Sequence, residues 1–600
     1  MDIRKTMKTL AAAAALAALP GAAHATKAYP HPVAVPQPDG TSVTLVLHGD
    51  ADFAWRTTAD GVVVAEKGGA YYVAAILPDG TAEPTGLLAH DPGQRTAAEQ
   101  AMADAQPKEI AARYEGESRR MAERRRISIA RNASPAYFPH TGKPKALVIL
   151  VDFSDTTFTV PDPAATFRDY LNAEGQGAIP DRGHREDRNH GSVGQYFKDM
   201  SFGAFTPQFD VYGPYRMPQK SSWYGYGAGN NKGRITQLIT DACKAADPDA
   251  DFAQYDSDGD GLVDLVYVIY AGYAESWTGN TEDCIWPQSG TVAGISCDGK
   301  SVSRYGINNE LNYSPVKALA EPRKRVNGIG LFCHEFSHAM GLPDFYPYAD
   351  AARINNQTME YWDLMDGGEY VDNGYTPTPY TPWEREAMGW MEPVEIETAG
   401  TYTMKTLADG GCAYKIGGGG DSQYVLLENI QQTGWHSKQL GHGMLVYRVD
   451  YGRNEVNSGD RPNDTPGSPS MTIVPADGLL ITSYLATAGK VSEKYPHTQQ
   501  EYADSHAGDT YPGTSGVKSI GSFAMNRGVV LEKPIYNIAE KGGVVTFDFL
   551  EDSVATGVAA AAARNTGGEA YTLDGRRAEG PIGTLPKGVY VIGGRKVVVR

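Results

Sequence analysis

The segment Gly330-Leu331-Phe332-Cys333-His334-Glu335-Phe336-Ser337-His338-Ala339-Met340-Gly341-Leu342-Pro343-Asp344 holds the densest group of residues able to do chemistry. On a helix, positions four apart differ by only about 40°, so His334 and His338 project from one face and can share a zinc ion. Glu335 stands beside them, where its carboxylate can take a proton from a water attacking a peptide carbonyl and return it to the leaving amine. A catalytic zinc takes a third protein ligand and keeps one position open. Gly341 can adopt positive φ and end the helix, Pro343 stiffens the return, and Asp344 then faces the metal. The ten-residue offset from His334 to Asp344 equals that from the first to the third histidine of the extended H-E-x-x-H motif, with Asp344 in place of that histidine. Cys333 points about 100° away from His334 and reads as a small buried hydrophobe. Two histidines merely buried in a core helix would leave Glu335, Gly341 and Asp344 unexplained.

Some twenty residues on, Tyr361-Trp362-Asp363-Leu364-Met365-Asp366-Gly367-Gly368 places Met365 before a turn-forming glycine pair. This resembles the methionine turn beneath the zinc of metzincins, where the Met is an apolar platform and not a ligand. A second acidic cluster lies in Asp256-Ser257-Asp258-Gly259-Asp260-Gly261-Leu262-Val263-Asp264. Carboxylates at loop positions one, three, five and nine with glycine at six predict a calcium site on Asp256, Asp258, Asp260 and Asp264. Position twelve is Tyr267 and the chain runs on into an apolar strand, so the expectation is a structural clasp at a strand entry, not a complete EF-hand.

The elements that must hold these groups follow from pattern. Strands are expected at 43–48, 61–65 and 70–76, then a polar helix over 96–121 and basic clusters at Arg119-Arg120 and Arg124-Arg125-Arg126. The stretch 146–393 mixes strands (146–153, 262–271) with helices (193–199, 233–246, 330–340), an α/β or α+β arrangement. Beyond 394 alternating segments at 400–406, 424–429, 444–450 and 543–550 predict a β-sandwich. An Ala/Gly-rich linker follows at 555–568, then a short tail with two strand-like pieces.

With 72 acidic against 54 basic side chains the formal net charge is -18, which argues against nucleic-acid binding. Arg4, Lys5 and Lys8 precede the apolar run 10–19, which ends in Ala23-His24-Ala25. This is a signal-peptide pattern, with cleavage expected before Thr26. No later segment reaches the roughly 18 apolar residues of a membrane helix. Five cysteines are few for an exported protein of this length, so the fold is expected to rest on its core and metals.

The zinc segment, the Trp362 to Gly368 turn, Pro382-Trp383-Glu384-Arg385-Glu386-Ala387-Met388-Gly389-Trp390 and Gly191-Ser192-Val193-Gly194-Gln195-Tyr196-Phe197 together resemble the immune inhibitor A family of secreted bacterial metalloproteases. Gln37-Pro38-Asp39-Gly40 in the pro-region fits as well. The resemblance implies a multidomain chain: an α+β zincin (metzincin-like) catalytic domain at 134–393, a β-rich pro-region at 26–133 after a signal peptide at 1–25, and a C-terminal β-sandwich at 394–552. It also implies endoproteolysis of protein substrates, with ligands His334, His338 and Asp344 and base Glu335; no residue is assigned to oxyanion stabilisation. After the linker at 553–570, the tail 571–600, with Tyr571-Thr572-Leu573-Asp574-Gly575-Arg576-Arg577 and Pro586-Lys587-Gly588-Val589-Tyr590, resembles the C-terminal sorting domain of type IX secretion cargo. That resemblance implies the secretion machinery as a partner and the cell surface or medium as destination. The competing readings are a surface adhesion protein on an inactive protease fold and a zinc exopeptidase.

Overall fold

A strand buried on both faces must be apolar at every position, and Lys145-Ala146-Leu147-Val148-Ile149-Leu150-Val151-Asp152 meets that requirement. The computed structural model describes residues 32–554 except 50–53, 79, 111–112, 115–126, 175–187, 226–231, 279–283, 313–323, 418–421 and 488, and in the tail 570–572, 577–578, 587–592 and 595–599. The expected leader, the basic clusters and the 555–568 linker lie outside the described residues. The chain divides into two compact units, 1–126 with 418–423, and the remainder.

The first unit is a six-stranded antiparallel sheet in sequence order: β1 (Val33–Pro36), β2 (Ser42–Gly49), β3 (Ala54–Thr58), β4 (Val63–Lys67), β5 (Ala70–Ile76) and β6 (Ala82–Leu88). Of the helix expected over 96–121, α1 (Ala97–Asp104) forms. Its start is fixed by a capping box in which Thr96 accepts from Glu99 N and the Glu99 carboxylate binds the Thr96 backbone N–H.

The second unit opens with β7 (Ser128–Ile129) and β8 (Lys145–Asp152). There follow α2 (Pro163–Asn172), α3 (Val193–Met200), β9 (Gln208–Arg216) and α4 (Lys232–Ala246). Next come β10 (Leu262–Val263), β11 (Val266–Tyr273), β12 (Gln288–Cys297), β13 (Lys300–Asn312) and β14 (Arg325–Val326). Strands β9, β8, β11 and β13 run parallel, and β12 lies antiparallel against β13. Period-two alternation sends Leu147, Ile149 and Val151 of β8 to a core shared with Leu238, Ile239 and Ala242 of α4. Ala146, Val148 and Leu150 face the opposite core, with Phe332, Cys333 and Phe336. Those three belong to α5 (Gly330–Ala339), the helix of the chemistry-bearing segment, whose end is followed downstream by α6 (Pro382–Ala387).

Beyond α6 come β15 (Val394–Glu395), β16 (Gly400–Met404), β17 (Tyr414–Ile416), β18 (Gln423–Ile430), β19 (Gly443–Asp450), β20 (Glu455–Val456), β21 (Met471–Ile473), β22 (Ile535–Lys541) and β23 (Val544–Phe549). They make a five-stranded sheet, β15-β17-β18-β19-β21, and a three-stranded one, β16-β23-β22, around a shared core containing Val425, Leu427, Val446 and Phe547. The five-stranded sheet is covered on its other face too: Leu426, Ile430, Leu445 and Tyr447 join the core that holds α5. The pairing β20 with β7 ties residue 129 to this region. In the tail, β24 (Ala570–Thr572), β25 (Arg577–Ala578), β26 (Gly588–Ile592) and β27 (Arg595–Val599) form a four-stranded sheet where two strand-like pieces are expected from sequence. All five cysteines are free thiols, so this fold uses no disulfide.

Candidate metal centre

Helix α5 begins where only glycine fits. A Cβ on Gly330 would run into the Glu369 carbonyl, and Ile329 N is capped from outside by Asn189 Oδ1 at 3.1 Å. Nine of its ten residues are buried, so its polar side chains need partners of their own. His334 Nδ1 lies 3.0 Å from the Leu364 carbonyl and His338 Nδ1 lies 2.7 Å from that of Leu342. A carbonyl only accepts, so both Nδ1 atoms carry a proton and each Nε2 is the ring atom left to face Asp344, giving a lone pair once a metal displaces any proton there.

Both Nε2 atoms converge on Asp344. Gly341 has φ +106°, reverses the chain after α5 as expected, and sets Asp344 opposite the histidines. Asp344 Oδ1 is 3.1 Å from His334 Nε2 and 3.2 Å from His338 Nε2, yet it has no hydrogen-bond partner. The three atoms form one of two groups among the described residues able to hold a metal ion. A tetrahedral metal with ligands at about 2.0–2.1 Å spaces its ligand atoms about 3.3–3.4 Å apart, which this triangle nearly matches. Two imidazole Nε2 atoms and a carboxylate oxygen gathered in a buried site are a nitrogen and oxygen donor set that fits the metal of a metallopeptidase.

Electrostatics follow the same geometry. Although burial opposes it, the two imidazoles hold the Asp344 carboxyl far below the usual carboxylate range. Burial lowers His334 on its own, but Glu369 and Asp344 outweigh it and hold the imidazole well above its ordinary range. Burial pushes the Glu335 carboxyl up to about 7, against the pull of the His334 and His338 charges. A carboxyl in that range can both accept and return a proton near neutrality.

Beneath the histidines, Met365 is fully buried in a turn ordered by Asp363, whose Oδ1 accepts the Met365 N–H at 2.7 Å. The Phe345 N–H binds the Met365 carbonyl at 2.8 Å, so the ligand loop and the methionine turn are joined directly. Several groups escaped the sequence reading. Tyr348 donates to Asp344 Oδ2. Tyr346 lies nearly parallel to the His334 ring, with 6.5 Å between centroids. Glu369 is buried, its Oε2 without a hydrogen-bond partner. The two tyrosines were legible as hydroxyls at the second and fourth positions after Asp344; Glu369 carried no signal.

The acidic loop is only partly assembled. Asp256, Asp258 and Asp260 bring their carboxylates together, the second group of possible ligands. Asp264 stands outside it, its Oδ2 accepting the Ser257 N–H at 3.2 Å, and burial pushes its carboxyl up to about 6. The strand expected over 262–271 breaks there, into β10 and β11. Lys300 Nζ, from the start of β13, binds Asp256 Oδ2 at 2.6 Å.

Residues 138–391 match the family profile described as immune inhibitor A peptidase M6, catalytic domain. This segment belongs to that family. The M6 domain contains α5, the Asp344 loop and the methionine turn. The chain is 28% identical over 311 residues to immune inhibitor A of Bacillus thuringiensis subsp. alesti, covering 44% of this chain and 43% of that one. It is 22% identical over 281 residues to the pre-pro-metalloprotease PrtV of Vibrio cholerae serotype O1, covering 40% and 29% respectively. The chain thus spans less than half the length of these relatives. Among the described residues no helix is long and apolar enough to cross a membrane.

Proposed function

We propose that the chain is an exported zinc endopeptidase that hydrolyses internal peptide bonds of proteins. The observation that carries this reading is Asp344 Oδ1, buried 3.1 Å from His334 Nε2 and 3.2 Å from His338 Nε2. His334, His338 and Asp344 would hold zinc. When bound, the metal supplies a Lewis acid that polarises the scissile carbonyl and eases deprotonation of the attacking water. Glu335 takes that proton as water adds to the carbonyl carbon, then passes it to the amide nitrogen as the C–N bond breaks. Its buried carboxyl, pushed up to about 7, is suited to both transfers.

Export rests on the basic and apolar leader, and the sorting role of 571–600 on its resemblance to type IX cargo. The Vibrio relative is itself named a pre-pro-metalloprotease, which favours a pro-region upstream of the M6 domain here. Calcium rests on the three gathered carboxylates of the 256–260 loop, where the cation would have to displace Lys300 from Asp256. Mass spectrometry of an unstructured protein digested by wild type and by Glu335→Ala tests the central claim. Internal cuts that depend on Glu335 support it. Equal cleavage refutes the mechanism, and trimming from one end alone refutes the endopeptidase.

A further inference from the structure

The reaction builds negative charge on the scissile carbonyl oxygen, and a hydrogen-bond donor held there in advance lowers the barrier. The groups crowding the centre are mostly of the wrong sign: Glu335, Asp344 and Glu369 are carboxylates. Tyrosine hydroxyls remain, and their protons can be accounted for. Tyr348 gives its proton to Asp344 Oδ2. Among the described residues the Tyr346 hydroxyl then meets only the Tyr348 oxygen, at 3.4 Å, well beyond the roughly 2.7–2.8 Å of a good O–H···O bond. One proton beside the ligands is therefore weakly committed.

That proton is also held in place. The backbone before Tyr346 is fixed on both sides, with Phe345 N bound to the Met365 carbonyl and Phe345 O receiving Asn463 Nδ2 at 2.7 Å. Two residues later, Asp464 Oδ1 takes the Tyr348 N–H at 2.5 Å and the Ala349 N–H at 3.1 Å. The Tyr346 ring, half-buried, lies 15° from the plane of the ligand ring of His334.

Building on the peptidase reading, we infer that Tyr346 donates its hydroxyl hydrogen bond to the substrate carbonyl oxygen as that oxygen gains charge, while Tyr348 holds the ligand Asp344. Binding of the oxygen replaces the long Tyr346 to Tyr348 contact with a charge-assisted bond and leaves the Tyr348 to Asp344 bond intact. The two adjacent hydroxyls thus have separate tasks.

The test uses the full chain as wild type, Tyr346→Phe, Tyr348→Phe and Glu335→Ala. It reads zinc per chain, kcat and KM on a quenched-fluorescence peptide, and calorimetric affinity for a phosphinic peptide, whose anionic tetrahedral phosphorus mimics the charged oxygen. Tyr346→Phe should keep wild-type zinc content and KM within about twofold. Its kcat should fall by about 10²-fold, as for loss of one such donor, and phosphinic-peptide affinity should fall comparably. Tyr348→Phe should lose zinc more readily and recover most of its kcat when zinc is added in excess. An unchanged kcat and phosphinic affinity in Tyr346→Phe would overturn the inference, as would a loss of zinc that accounts for its lower rate. Full dependence on Glu335 beside an unaffected Tyr346→Phe would sink this inference alone, whereas equal cleavage by Glu335→Ala would remove the peptidase reading along with it.

Discussion

His334 Nδ1 lies 3.0 Å from the carbonyl oxygen of Leu364, thirty residues away in sequence. The contact orients the His334 ring from the Met365 turn, and that turn depends on Asp363, which accepts the Met365 N–H at 2.7 Å. Asp363→Ala removes that acceptor and should lower zinc affinity about 10- to 100-fold, the usual effect of losing support behind a ligand. Asp363→Asn keeps an acceptor oxygen and should retain most of the affinity. Competition against a zinc chelator measures both.

Gly341→Ala should be costly at the same centre. The residue sits at φ +106°, and an added Cβ would lie 2.5 Å from Ile129 Cγ2 and 3.1 Å from Tyr137 Cδ2. Strain and overpacking together should cost about 2–4 kcal/mol in denaturant unfolding. Because Asp344 follows three residues later, zinc affinity should fall with stability.

Glu428 in β18 gives a pH signature away from the metal. Burial pushes its carboxyl up to about 7 from the ordinary 4.5, opposed by the hydrogen bond from Tyr447 and the charge of Arg385. The folded state therefore holds this proton more tightly than the unfolded state. The contribution is fully present below about 4.5 and is lost as pH rises through about 7. Glu428→Gln lacks this loss, so relative to wild type it should gain up to about 3 kcal/mol between pH 5 and pH 8. Unfolding of both proteins at the two pH values checks the sign. A variant that gains nothing refutes the assignment.

At the acidic loop, Lys300→Met removes the cation now paired with the Asp256 carboxylate, which that lysine holds below its usual range. In calcium-free buffer the variant should unfold at a lower denaturant concentration than wild type. Added calcium should restore the loss and bind the variant more tightly than wild type. If calcium neither restores stability nor binds, the clasp is an acidic turn neutralised by lysine.

Much of this site was legible because its geometry is local. His334 and His338 are placed by helical spacing, and Asp344 by a glycine at the helix end. The strand expected over 70–76 is β5, and the expected helices over 193–199 and 233–246 are α3 and α4 to within one residue. What sequence could not supply are contacts that only tertiary packing creates. Lys300 reaches Asp256 from 44 residues away. Asp264 leaves the acidic group because the strand breaks there, and Glu369 reads as an ordinary surface glutamate until the turn buries it. Alternation predicts strands near 400–406, 424–429, 444–450 and 543–550, but it cannot reveal that the five-stranded sheet is covered on both faces.

That covered face bears on how the chain could be shortened. All eight residues of β18 are buried, and Leu426, Ile430, Leu445 and Tyr447 lie in the same core as α5. Ending the polypeptide after residue 393 would strip that core of one wall and leave the helix carrying His334 and His338 against solvent. Helix α5 and the strand β18 about 90 residues downstream should therefore melt in a single transition, and a segment cut to the M6 match alone should be insoluble. The five-stranded sheet is thus the far side of the same interior that holds α5.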